Sequence, residues 1–414
     1  MQFVNMAANG KGGLLARSDF PLYTVNALDE RHFIVAGGGG AAKTGVVNAI
    51  EVYEVKQTDN KLIASSIGRH DTGTKAVMNG CCHYDGRKHI LAAGLDEKCH
   101  TYSLKYKVVS PKKNSGKTDD TVRKRKSNDG AEENGTKQIN FDIEELDSFE
   151  TDFNEDGSFQ KTVQFSMDQK FLATGGADGF LRVWKYPELS KIFEVHAHKG
   201  DIDDVAISPA NDKIVTVSRD HCACVWNAKE GSKDCELKWP LSDQYRHRAC
   251  KYGLIEGSKE HYNLYTISIP VKRSQNPAPC YLAMWDSKKF TVKRMVSTGM
   301  EVLSALAISD DGTYAAVGTI SGSVAVFISF SLQKLYSVSE AHNIFVTGLD
   351  FLPSSKATEA VTGDKDFTLL SISADNTIRV HQVAKRGSYS IVLLLIGLVV
   401  IVVLLFIFMA EMGL

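Results

Sequence analysis

Two phosphate-binding patterns almost fit one stretch of the chain, FIVAGGGGAAKTGVVNAIEVYEV, Phe33 to Val55. Gly37-x-Gly39-x-x-Ala42 meets a loose dinucleotide pattern, and Gly37-x-x-x-x-Ala42-Lys43-Thr44 is a P-loop with alanine in place of its second glycine. Both work by aiming the amides of a helix N-terminus at phosphate. Here Val46, Val47, Ile50, Val52 and Val55 are β-branched, and Ile50 to Val55 alternates. A strand is expected after the loop, so the helix that either chemistry needs is missing and direct nucleotide binding is not expected.

Four consecutive glycines, Gly37, Gly38, Gly39 and Gly40, still need a reason. Such a run loses much conformational entropy on ordering, and it suits a place where backbone approaches a ligand or adopts positive φ. Lying between two inner strands of the first repeat unit, the segment from Gly37 to Val47 is expected to project from one face of the scaffold. Convergent carbonyls there could hold a cation, and the Asn48 amide could brace the loop. The competing reading of the same residues is a wide turn with nothing bound.

The elements around this loop repeat. TVQFSMDQKFLATGGADGFLRVW (Thr162 to Trp184) and DDVAISPANDKIVTVSRDHCACVW (Asp203 to Trp226) share one grammar. An alternating strand ends in serine and a turn; a second apolar strand follows; then come a tight turn with Asp178 or Asp220 and a strand ending Val-Trp. The grammar returns from Val77 to Leu104 with Asp96, from Arg248 to Trp285, from Leu303 to Phe327 and from Phe345 to Val380 with Asp375, and it first occurs from Phe20 to Val55. Seven such units predict an all-β chain, a seven-bladed WD40-like β-propeller with four strands to a blade. Trp-Asp closes only one unit, at Trp285-Asp286. His198 and His342, each just ahead of a unit's first strand, and the turn aspartates are expected to hold the blades together, since buried polar groups must be paired.

The 414 residues carry 48 Lys+Arg against 49 Asp+Glu, a formal net charge of -1, with 43% hydrophobic residues. These values exclude a disordered chain and a polytopic membrane protein, and nucleic acid is not expected as a partner. No nucleophile elbow, zinc signature or paired carboxylates point to hydrolysis. The eight cysteines form no C-x-x-C pair, and Met1 to Gly10 lacks the basic and apolar regions of a signal peptide, so reduced cytosolic thiols are expected. Cys222 and Cys224 alternate on a strand and read as small buried hydrophobes. One interruption is polar: Lys105 to Lys137 is almost free of apolar residues, and Asp142 to Asp156 carries eight acidic side chains and no basic one. A disordered charged insertion over about 107–158 is expected, because so polar a segment buries too little surface to offset its ordering entropy. Its Arg123-Lys124-Arg125-Lys126 run reads as a solvated loop, with a nuclear localisation signal or a phosphate-binding patch as the other readings.

From Ile391 to Ala410 the chain reads IVLLLIGLVVIVVLLFIFMA, without a charge. As a helix this spans about 30 Å, the thickness of a hydrocarbon core. The expected organisation is a cytosolic propeller over 1–386, a transmembrane anchor over 387–410 and a short lumenal tail over 411–414. Lys385 and Arg386 set the orientation by the positive-inside bias. Glycosylation at Asn134-Gly135-Thr136 would reveal the inverse topology.

GGGGAAKTGVVN in the first unit, a degenerate seven-unit propeller and a C-terminal apolar segment together resemble the prolactin regulatory element-binding protein family. These are endoplasmic-reticulum membrane exchange factors for the Sar-type small GTPase that starts COPII coat assembly. The likeness covers the whole chain. It implies guanine nucleotide exchange carried by a potassium-stabilised loop of blade one, with no covalent chemistry. Gly37, Gly38, Gly39, Gly40, Gly45 and Asn48 match the loop pattern, and Lys43 lies within it. The carbonyls of Ala41, Ala42 and Thr44 are the candidate K+ ligands on the same resemblance. Two other classes compete: a membrane-anchored scaffold without exchange activity, and a DNA-binding regulator supported only by Lys112, Lys113 and Arg123–Lys126.

Overall fold

The computed structural model describes residues 12–42, 45–59, 61–109, 138–241, 244–255, 258, 260–272, 277–385 and 391–412. Strand β1 (Gly13–Arg17) comes first. The first blade follows as β2 (Leu22–Ala27), β3 (His32–Gly38), β4 (Asn48–Thr58) and β5 (Lys61–Asp71). The second is β6 (Asn79–Tyr84), β7 (His89–Leu95), β8 (Lys98–Val109) and β9 (Gln138–Glu150). Four further antiparallel blades occupy 160–196, 202–236, 245–299 and 303–338. The seventh takes three strands from 346–384 and its fourth from β1, which pairs with Thr377–Ala384. That pairing closes the ring by joining the two ends of the described propeller in one blade. The seven-bladed all-β propeller expected from the repeats is therefore present, and each repeat unit corresponds to the first three strands of a blade.

Alternation along β3 decides how blade one is held. Phe33 and Val35 face blade seven, where they pack with Leu370, Ile372 and Val380. Ile34 and Ala36 face blade two, where they pack with Val77, Leu91 and Ala93. Every residue of β3 is buried, and each large side chain so enclosed contributes roughly 1.5–3 kcal/mol. The glycine segment thus leaves the end of a strand clamped on both sides.

The charged insertion is narrower than expected. Residues 138–150 are not disordered: they form β9 and pair with β8 from Lys98↔Glu150 to Val109↔Gln138. Phe141 and Ile143 are buried while Asp142 and Glu144 are exposed. The acids line the solvent face of an outer strand and meet cations across the ladder, Glu144 with Lys105 at 3.0 Å and Glu150 with Lys98 at 3.5 Å. A tally of charges hides this period-two pattern. Asp152, also within the expected insertion, is buried and accepts hydrogen bonds from the amides of Phe159 and Asp178. Residues 110–137, with Lys112, Lys113, Arg123–Lys126 and the Asn134 sequon, lie outside the described residues.

A short helix, α1 (Lys356–Thr362), sits between the first two strands of blade seven. Helix α2 covers Ile391–Glu411. Among the described residues no helix is long and apolar enough to cross a membrane. All eight cysteines are free thiols, and Cys224 packs in a core cluster with Val205 and Trp226.

Candidate functional site

Residues 39–47 connect β3 to β4, the second and third strands of blade one rather than its two innermost. In an antiparallel blade this connection lies on the same face as the link from the outer strand to the next blade. Here that link, 72–78, is joined to it directly: the Thr72 amide donates to the Asn48 carbonyl at 2.9 Å. Asn48 is buried at the first position of β4. Its Oδ1 accepts from the Gly40 amide at 2.8 Å, and its Nδ2 donates to the carbonyls of Gly40 at 3.2 Å and Gly73 at 2.9 Å. One carboxamide therefore closes the base of the loop and ties it to the neighbouring connection.

The glycines divide by physical cause. Gly37 and Gly38 are buried in close approach: a Cβ on Gly37 would stand 1.9 Å from the Pro21 carbonyl oxygen, and one on Gly38 would stand 2.7 Å from Asn48 Cα. The Gly38 amide donates to that same Pro21 carbonyl at 2.9 Å. Gly40 and Gly45 have open space around them but positive φ, 70° and 79°. Gly39 is half-buried, and Ala41, Ala42 and Gly45 are exposed. Val46 and Val47, which sequence reasoning used only as a sign of the following strand, stand 36% and 38% exposed on the returning limb. Lys43 and Thr44 lie outside the described residues. The described part of the loop is neither buried along the ring axis nor covered by another element, so a partner can reach it.

Beside the loop, Arg69 on β5 gathers three carboxylates: Asp19 at 3.1 Å, Glu51 at 3.1 Å and Asp71 at 3.2 Å. Partial burial works against its charge, but the hydrogen bonds to Asp71 and Asp19 raise its pKa overall. The Tyr53 hydroxyl donates to buried Glu51 at 2.6 Å, and burial followed by that carboxylate pushes the phenol pKa up. These residues stiffen the outer half of blade one.

The implied K+ would need neutral oxygens converging on one point. The Gly40 carbonyl is already taken by Asn48. Ala41 and Ala42 sit in the exposed turn, where backbone carbonyls are the kind of donor such an ion accepts. No His, Cys, Asp or Glu cluster suited to a metal occurs among the described residues.

The repeat-associated polar residues serve the scaffold. In blade four His198 donates from Nδ1 to Asp220 at 3.1 Å, and Thr216 Oγ1, 2.7 Å from Nε2, accepts from Trp226 Nε1 at 2.9 Å. Burial holds His198 below its ordinary pKa, so the ring is neutral and Nε2 accepts from the threonine hydroxyl. Blade seven repeats the network with His381 in place of the tryptophan: Ser371 Oγ lies 2.7 Å from His342 Nε2 and 2.8 Å from His381 Nε2. In blade three Asp178 pairs instead with buried Arg182 at 2.7 Å. Asp96 departs from the expectation: it is half-buried and its carboxylate pairs with the Lys75 ammonium at 3.4 Å, and no histidine precedes its blade at the matching place.

Seven four-stranded blades, polar networks that pin their turns, and one glycine-rich loop held out on a face define a WD40 propeller. Residues 153–185 and 189–227 match the family described as WD domain, G-beta repeat. The chain is 38% identical to the guanine nucleotide-exchange factor SEC12 of Mus musculus over 95% of its own length and 97% of that protein, and equally identical to the Rattus norvegicus SEC12 over the same shares. It belongs to the SEC12 family of guanine nucleotide-exchange factors. Among solved structures, Chaetomium thermophilum Raptor matches 90% of this chain and 28% of that one with a TM-score of 0.61 at 14% identity, a likeness of fold alone.

Proposed function

We propose that this chain is the endoplasmic-reticulum exchange factor for the Sar-type small GTPase that starts COPII coat assembly, as in the prolactin regulatory element-binding protein family, and that the 39–47 loop carries the activity. The observation that supports this most is the exposed loop, braced at its base by buried Asn48 on a rigid ring. An exchange factor binds the nucleotide-free GTPase more tightly than the loaded one, and by linkage nucleotide affinity falls by the same factor. No acid, base or nucleophile is needed. The loop presses on the switch region and nucleotide-coupled strands of the GTPase, Val46 and Val47 offering apolar contact and the glycines allowing close backbone approach. Asn48 and the Pro21–Gly38 bond order the loop before the partner arrives, so less affinity is lost to ordering.

In this reading a K+ held by the carbonyls of Ala41, Ala42 and Thr44 would order the turn beyond the reach of Asn48. Helix α2 serves as the single membrane span, with 1–386 in the cytosol and 411–414 in the lumen, and it confines activation to one membrane, which raises the local concentration of the arriving GTPase. The test is release of fluorescent GDP from the Sar-type GTPase, with and without the full chain in detergent. Equal rates would eliminate the proposal. Replacing K+ by an organic cation is expected to slow release if the turn holds the ion.

A further inference from the structure

A specific protein partner covers about 800 Å2 of each surface, more than one short loop presents, so the contact must continue onto a neighbouring blade. On the blade-two side the adjoining surface is charged, with Lys75 paired to Asp96 at 3.4 Å and Glu97 at 3.1 Å. On the other side, past the Asp19–Arg69 pair, the connections carry exposed apolar side chains. Met300, Ile320, Ile344 and Phe345 are 56%, 39%, 41% and 42% exposed, all on connections of the loop's own face, in and beside blade six.

These three connections form one surface. The Ile320 amide donates to the Val302 carbonyl at 2.9 Å, which joins the Met300 turn to the Ile320 turn. The His342 amide donates to Gly322 at 3.0 Å, which joins that turn to the link bearing Ile344. Ser373 donates to the Phe345 carbonyl at 2.8 Å, and the Ser18 amide donates to Asn376 at 3.0 Å. From there Pro21 reaches Gly38. An unbroken run of hydrogen-bonded turns thus leads from the apolar crescent to the base of the glycine loop. Leu241, also exposed on this face, lies across the ring between blades four and five.

We infer that the crescent Met300–Ile320–Ile344–Phe345 is the second half of the GTPase-docking surface: it supplies affinity, while the glycine loop supplies nucleotide release. The inference rests on the exchange-factor reading and names where its partner extends. Exposed apolar side chains on turns joined to a functional loop are the expected mark of a protein contact, and their burial should act mainly on how long the complex lasts.

The experiment titrates full-length chain in detergent against the fluorescent-GDP GTPase, for wild type, Ile344→Lys, Phe345→Ser and Leu241→Lys. For the two crescent variants the concentration giving half-maximal release should rise at least about tenfold, with the saturating rate within about twofold of wild type. Leu241→Lys should match wild type. An unchanged half-maximal concentration in the crescent variants, or an equal rise with Leu241→Lys, overturns the inference and leaves the exchange reading standing. If wild type itself fails to speed release, the exchange reading falls. Binding of nucleotide-free GTPase to immobilised wild type and Ile344→Lys then decides the crescent separately, equal or absent binding overturning it. Ile320→Ser reads the same quantity if either crescent variant loses its circular dichroism spectrum.

Discussion

The carboxamide of Asn48 donates to the carbonyl of Gly73 at 2.9 Å across two connections of one propeller face, while its oxygen holds the Gly40 amide at 2.8 Å. Asn48→Ala removes all of these bonds at a buried site and leaves the Gly40 amide without its acceptor. The loss of stability should be about 1–3 kcal/mol, a few degrees in melting temperature, because the rest of blade one is untouched. Exchange should fall far more. A GDP-release rate near wild type for the folded variant would show that the loop needs no brace.

Gly38 and Gly40 both have positive φ, 140° and 70°, and differ in packing. Gly38→Ala sets a Cβ 2.7 Å from Asn48 Cα, which only backbone movement relieves, so both stability and exchange should drop sharply. Gly40→Ala meets nothing within 4 Å and carries only the positive-φ penalty, about 1 kcal/mol. Melting curves and GDP release for the two variants should differ in that order; equal effects would contradict it.

Thr216→Val removes the hydroxyl that accepts from Trp226 Nε1 and lies 2.7 Å from His198 Nε2. Two buried polar groups lose their partner, a destabilisation of roughly 2–4 kcal/mol. The site is in blade four, far around the ring from the loop. Exchange per folded molecule should therefore be unchanged, which a urea midpoint and a GDP-release rate measured together will check.

Three buried imidazoles make the propeller acid-sensitive. Burial lowers the pKa of His247 and of His342 to about 4 and that of His381 to about 3, against about 6.5 in the unfolded chain. Between those limits the unfolded state binds more protons, so stability is full above about pH 6.5 and falls as pH drops. Each ring removes up to about 2 kcal/mol by pH 5. Asp350 works the other way, since burial raises it to about 6, and offsets part of the loss. The melting temperature should decline from pH 7.5 to pH 5, and a flat profile would show that these rings are protonated in the folded state.

Much of this was readable in one dimension. Period-two strands with Ser and Asp turns specify antiparallel blades locally, and β-branched Val46 to Val55 rules out the helix that phosphate chemistry needs. Asn48 stood out because an amide at the foot of a glycine run has few other uses. Charge summed along β9 hides a strand, because Phe141 and Ile143 act through alternation. The turn around Asp96 looks like the others, and the missing histidine shows only when the preceding connection is laid against it.

The amino-acid order alone determined the blade count, the loop and the family resemblance, since these depend on short-range periodicity and on a run of residue types. Only the tertiary structure decided that β1 completes blade seven, that Gly73 and Pro21 meet the glycine loop, and that Ile344 and Phe345 share its face. Antiparallel pairing within blade one brings Pro21 and Gly73 to the loop, and closing the circle of blades brings β1 and the link bearing Ile344 round from opposite ends of the chain.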